Sequence, residues 1–166
     1  MDGILGRVVA IVLGLIALSG IGYAAYNGFQ TDKASTVSTN ITQLITNARG
    51  GFSQGNNGYT NFTTANIPAM ITGGMFPTSM VRGNTLVDNW GNTVTLSSAS
   101  NGSQGVITFG GGNAQTAKQC VAVATGLRDF VSLTVGTTSF TQTSLPDQAT
   151  AGSACSATAT FTLTFQ

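Results

Sequence analysis

The chain has 166 residues, 42% of them hydrophobic and only 7% charged, with a net charge of +1. Its six basic residues (Arg7, Lys33, Arg49, Arg82, Lys118, Arg128) are scattered, so nothing forms the clustered cationic surface that nucleic acid requires, and no specific nucleic-acid partner is expected. There is no His and no Glu, which removes the usual general base and metal ligand and leaves five dispersed aspartates; no enzyme and no cofactor is expected.

The first element is apolar. From Val8 to Thr31 no side chain is charged, and about 20 such residues cross the hydrocarbon core of a bilayer. A cleaved secretory signal fits poorly, because Asp2 precedes any base and the apolar run is too long. A membrane anchor fits the length, with Arg7 placing the N-terminus on the cytoplasmic side. Gly14, Gly20 and Gly22 weaken this helix by about 1 kcal/mol each relative to Ala, and Ser19-Gly20-Ile21-Gly22 is its expected soft point. The alternative reading of these small residues is close helix packing.

The helical pattern continues beyond the apolar run. Val37, Ile41, Leu44, Ile45 and Ala48 fall on one stripe, Thr, Ser, Gln and Asn lie opposite, and Arg49-Gly50-Gly51 supplies a stop. The spacing therefore predicts a single helix of roughly 45–50 residues, apolar all round in its first half and amphipathic in its second.

After it comes a Gly-, Asn- and Thr-rich connection with a brief helix or turn around Asn66–Thr72, where Pro68 suits a first helical turn. "NTLVDNWGNTVTLSS" and "GVITFGG" read as strands joined by Asn-Gly turns, with Trp90 as a packing residue and Asp88 in a turn. "GGGNAQTAKQCVAVATGLRDF" lacks the Lys-Ser/Thr ending of a phosphate loop and reads as the entry to a second helix near Ala114–Phe130. In "ATATFTLTFQ", Phe161, Leu163 and Phe165 alternate with threonines as a half-buried strand does. Cys120 and Cys155 read as a disulfide in an exported domain, the alternative being two buried thiols. Arg128, Asp129 and Asp147 are candidates for ion pairs between subunits, and the Asn-x-Ser/Thr matches at Asn40, Asn61 and Asn101 carry little weight in so Asn- and Thr-rich a chain.

The long half-apolar helix, the punctuated connection, the strands and the cysteine pair together resemble a type IV pilin of the type IVb branch. The sparse charge looks most like the major pilins of plasmid-type thin, conjugative pili. The resemblance implies an α+β fold, with a long N-terminal helix packed on an antiparallel sheet, a second helix and a C-terminal disulfide-bounded region. It divides the chain into 1–28, the membrane-spanning and later filament-core half-helix, and 29–166, the globular head. Within the head it implies an amphipathic half-helix 29–50, a connecting loop 51–83 that helps form subunit contacts, and the sheet with the second helix at 84–166.

By the same resemblance the chain is the major subunit of an extracellular filament for conjugation, attachment or aggregation on a Gram-negative cell. It is held in the inner membrane until assembly, processed by a prepilin peptidase, and polymerised with itself by machinery that includes an extension ATPase. Met1 is then the processed and methylated terminus. One departure is plain: such pilins carry Glu at the fifth mature position, and Leu5 stands here. Starting the mature chain after Gly3 or Gly6 puts Val8 or Ile11 there instead. Asp2 is the nearby carboxylate; it either neutralises a neighbour's N-terminal amine or Arg7 in an apolar core, or favours the helix N-terminus in the headgroup region. Assembly is expected to rest on Asp2, Leu5, Arg7, Gly14, Gly20 and Gly22. Other readings are a minor pilin or pseudopilin, and a single-pass anchored binding module that never polymerises.

Overall fold

The computed structural model describes Gly28 and residues 31–166. Helix α1 covers residues 31–52. It buries Ala34, Val37, Ile41, Leu44, Ile45 and Ala48, the three- and four-residue spacing that puts side chains on one face. The helix does not stop at Arg49-Gly50-Gly51 as expected but runs on to Phe52. Two contacts make the extra turn worthwhile. The Phe52 ring packs on Phe62 and Tyr59, with centroids 5.5 and 6.1 Å away. Gly51 admits the Met75 methyl, which a Cβ at that position would meet at 3.0 Å.

The connection after α1 is more structured than a loop. Two 3-10 turns, Gly58–Asn61 and Thr64–Asn66, lead into α2, Ile67–Thr72, with Pro68 in its first turn. Tyr59, Phe62, Ile67 and Met70 are buried and join the main core. The sheet also begins early: strand β1, Val81–Arg82, lies within the segment expected to be connection. Its two residues pair with β2, Thr85–Val87, around a tight turn.

Strands β3, Thr93–Ala99, and β4, Gln104–Gly110, form the hairpin expected from the sequence. Asp88 does more than open a turn. Its buried carboxylate accepts the backbone N–H of Trp90 (2.9 Å) and Asn92 (2.8 Å), and reaches across to the N–H of Gly110 (2.9 Å). A buried carboxylate is tolerable only when its lone pairs are met in this way. Trp90 is a core residue, stacked on Phe161 at 6.3 Å.

Helix α3, Ala117–Gly126, opens with a capping box between Thr116 and Gln119 and buries Cys120, Val121, Val123 and Ala124. The short hairpin of β5, Ser132–Val135, and β6, Thr138–Thr141, then turns at Gly136, whose φ of +58° favours glycine. Helix α4, Gln148–Ala154, is capped by Asp147. Strand β7, Thr160–Phe165, ends the chain. All pairs are antiparallel, in the order β1-β2-β3-β4-β7-β5-β6, so the last strand made sits inside the sheet between β4 and β5. Its Phe161, Leu163 and Phe165 are fully buried, and its threonines face the other way.

Cys120 and Cys155 are joined across α3 and the end of α4, with Cα atoms 5.6 Å apart. Closing a loop over a separation of 35 residues contributes about 3–4 kcal/mol on the chain-entropy account. The expected α+β architecture is the observed one: helices on a seven-stranded antiparallel sheet, with the disulfide bounding the C-terminal region.

Candidate assembly surfaces

Surfaces rather than clefts are the places to look for function here. Among the described residues, no three His, Cys, Asp or Glu side chains gather as a metal would need. The grooves present are wide and shallow.

Helix α1 is fixed to the head by polar side chains at three levels. Asn40, buried within the apolar stripe, donates from Nδ2 to the Asn89 side chain at 2.8 Å and accepts from Ser79 at 3.2 Å. Asn47 donates to the Met75 carbonyl at 2.7 Å. Arg49 donates to the Gln166 carbonyl at 2.5 Å and the Asp129 carbonyl at 2.9 Å, pairs with the Asp129 carboxylate, and lies 6.0 Å from the Phe165 ring centroid. Hydrophobic burial holds the helix on the sheet, and these bonds set its position along its axis, because each is directional.

The opposite face of α1 is exposed at Ser35, Thr36, Thr39, Thr42, Gln43 and Thr46. Thr36, Thr42 and Thr46 donate their hydroxyls to carbonyls four residues back, at 2.8 to 2.9 Å. With those hydroxyls internally bonded, that face is less polar than its composition suggests. It borders a groove of about 440 Å³ that includes Gly126.

A second groove, of about 530 Å³, lies where α1 ends against α2 and is lined by Phe52, Asn61, Asn66, Ala69, Met70, Gly73 and Met75. Helix α2 packs on β2, while Phe52 in the groove's wall packs on Tyr59 and Phe62, which in turn meet Phe165 of β7. The loop after β6, at one edge of the sheet, exposes Leu145 (46%), the one large hydrophobic side chain so exposed among the described residues.

The sequence-derived assembly residues Met1, Asp2, Leu5, Arg7, Gly14, Gly20 and Gly22 lie outside the described residues, as does nearly all of the apolar run. No helix among the described residues is long and apolar enough to cross a membrane. Two of the charges set aside for contacts between subunits act within the chain. Asp129 is taken by Arg49, and Asp147 accepts the N–H and the hydroxyl of Thr150 and the N–H of Ala149, which hold its carboxyl below the usual range. Arg128 donates to its neighbour's carbonyl, Leu127, at 3.1 Å. Sequence reasoning missed the anchors. Asn40 did leave a signal, as an amide inside the apolar stripe of a helix; Asn47 and Arg49 left none short of knowing the partner loops.

A family profile described as PilS N terminal matches residues 31–166. Among solved structures, the chain is similar to a type IV b pilin from Salmonella typhi, with a TM-score of 0.63 and 21% sequence identity. The match covers 80% of this chain and 99% of that one, and at this identity it speaks for the fold. No curated protein sequence matches the chain.

Proposed function

The chain belongs to the PilS N-terminal family and has the type IVb pilin fold, and from that premise we propose that it is the major structural subunit of a type IVb pilus. The observation that carries this reading is the arrangement of α1. The amphipathic part of the helix is docked on a disulfide-closed head, and in sequence it follows directly from the uncharged run Val8–Thr31. A head built this way can leave the membrane only if that apolar run finds another apolar environment. Neighbouring copies in a filament core supply one.

On this reading residues 1–28 are stored in the inner membrane and then pack in the filament, and residues 29–166 form its surface. Processing by a prepilin peptidase leaves Met1 methylated, and assembly machinery with an extension ATPase drives polymerisation. Asp2 takes the place of the Glu absent at Leu5, meeting a neighbour's amine or Arg7. Gly14, Gly20 and Gly22 supply the helix's soft zone. The sparse charge supports a thin pilus of the plasmid type, with a role in conjugation, attachment or aggregation.

Intact mass and N-terminal fragmentation of protein sheared from cells test the proposal. An abundant chain that starts at methylated Met1 and is two hydrogens light for one disulfide is expected. A chain found only in membranes with an unprocessed start overturns it in favour of an anchored binding domain. A methylated chain present only in trace amounts points to a minor pilin.

A further inference from the structure

We infer that Met75 is a site of oxidation by peroxide, and that its sulfoxide releases the last turn of α1 from the connection that follows. The inference concerns the head alone and stands whether or not the chain polymerises.

Met75 is clasped by one face of α1 at two successive turns. Its backbone carbonyl accepts from the Asn47 side chain at 2.7 Å. Its methyl group lies against Gly51, four residues on, so closely that a Cβ there would meet it at 3.0 Å. The Met75 N–H donates to the Met70 carbonyl at 3.1 Å, which ties the clasp to the end of α2. The turn held in this way is weak by composition, since Gly50 and Gly51 are adjacent and exposed. It stays helical through the Met75 methyl together with the packing of Phe52 on Tyr59 and Phe62.

Of the three methionines among the described residues, Met70 and Met80 are buried, at 8% and 1% exposure, and Met75 is half-buried. Met75 stands in the wall of the open groove of about 530 Å³, wide enough to admit hydrogen peroxide; Met70 shares the wall but not the exposure. Oxidation of a thioether follows access and needs no neighbouring base. The sulfur lone pair attacks a peroxide oxygen, and the S–O bond forms as the O–O bond breaks. The departing hydroxide takes the proton of the transferred oxygen and leaves as water. Sulfur loses two electrons and the peroxide gains them.

The product is a polar side chain where an apolar one stood. A sulfoxide oxygen pressed on α1 without a donor is costly, and turning it to the water of the groove draws the methyl off Gly51. Two glycines and Phe52 then hold the turn unaided, and residues 50–52 leave the helix. The bonds of Arg49 to the Gln166 and Asp129 carbonyls do not involve Met75, so the loosening stops there.

Peptide mapping and hydrogen exchange on the full chain in detergent micelles test this. During treatment with hydrogen peroxide, sulfoxide is expected to accumulate at Met75 at least about tenfold faster than at Met70 or Met80. In the oxidised protein the amides of residues 50–53 are expected to exchange at least about tenfold faster, with those of β4 and β7 unchanged. Met75→Leu keeps the apolar bulk and removes the thioether, so its exchange should not respond to peroxide. Treatment of oxidised wild type with the two methionine sulfoxide reductases, one for each epimer, and a dithiol should restore protection, which decides the matter even if the variant folds poorly. Oxidation of Met70 or Met80 as fast as Met75 overturns the site. Unchanged exchange at residues 50–53, the same peroxide response in Met75→Leu, or no recovery on reduction overturns the release of α1.

Discussion

Arg49 bonds Asp129 twice, once at the carboxylate and once at the backbone carbonyl, and so ties the end of α1 to the loop that leaves α3. Asp129 holds the left-handed conformation, φ +64°, that turns its carbonyl toward the guanidinium. The same side chain reaches the Gln166 carbonyl. One fork therefore joins the first helix, the disulfide-bounded region and the central strand.

Replacing Arg49 tests whether the fork or the charge matters. The carboxylate partner is 72% exposed, so the ion pair itself is screened and worth little. The bonds to two carbonyls and the contact with Phe165 matter more. Arg49→Lys is expected to lose about 1–2 kcal/mol in urea unfolding, close to the loss for Arg49→Ala, because an ammonium cannot reproduce the planar fork. Asp129→Asn, which keeps the backbone carbonyl, is expected to lose less than about 0.5 kcal/mol. A Lys variant as stable as wild type would show that charge alone suffices.

Asp88 predicts a larger effect at a site with no surface charge role. Asp88→Ala strands the backbone N–H groups of Trp90, Asn92 and Gly110 that the carboxylate now accepts. The expected cost is about 3–5 kcal/mol, read as a fall in the urea midpoint with an unchanged slope. Asp88→Asn retains one acceptor oxygen and is expected to lose roughly half as much. A cost under about 1 kcal/mol for Ala would mean that water replaces the carboxylate.

How far these features could be read from the sequence depended on the range of the interaction that makes them. The α1 stripe, the β3–β4 hairpin and β7 follow from periodicities within a few residues, and they stand where the sequence put them. Strands β5 and β6 are four residues each and rich in Ser and Thr, too short to stand out in the sequence; β5 is held by pairing with β7, and β6 by pairing with β5. Helix α4, in "QATAGSA", likewise lacks an apolar stripe; its cap and the disulfide fix it. Phe52 drew the helix past two glycines because its partners Tyr59 and Phe62 lie in the connection, a contact that no local rule foresees. The assembly residues expected from the apolar run, from Asp2 to Gly22, lie outside the described residues.

The cap of α4 gives the head a pH dependence with a definite sign. Bonds from Thr150 and then Ala149 lower the Asp147 pKa in the folded state. A depressed folded pKa means that the carboxylate's contribution is fully present above the unfolded value, about 4, and is lost as pH falls through the folded one. The window is therefore acidic, below about pH 4. Asp147→Asn caps without titrating, so it is expected to flatten that part of the stability–pH curve while staying close to wild type near pH 7. A variant curve that keeps the full acid slope would assign the slope to other carboxylates.

Strand β7 makes the strongest prediction about folding. It pairs with β4 along six residues and with β5 along four, so the two halves of the sheet join only through residues 160–165. Leu163 is fully buried opposite Ile107 on one side and Leu133 on the other. Leu163→Ala is expected to cost about 3–4 kcal/mol, the sum of lost transfer energy and an unfilled cavity between two strands. Thr162→Ala, on the outward face of the same strand, is expected to cost less than about 1 kcal/mol. Because β7 follows Cys155, the disulfide holds α3 and α4 beside the site where the strand must insert. Reduction should therefore slow refolding of Leu163→Ala more than that of wild type, measured by the recovery of Trp90 fluorescence from urea. Trp90 stacks on Phe161 and reports the strand's arrival directly. Equal slowing in both proteins would separate the disulfide from β7 insertion and leave it as a constraint on the unfolded chain alone.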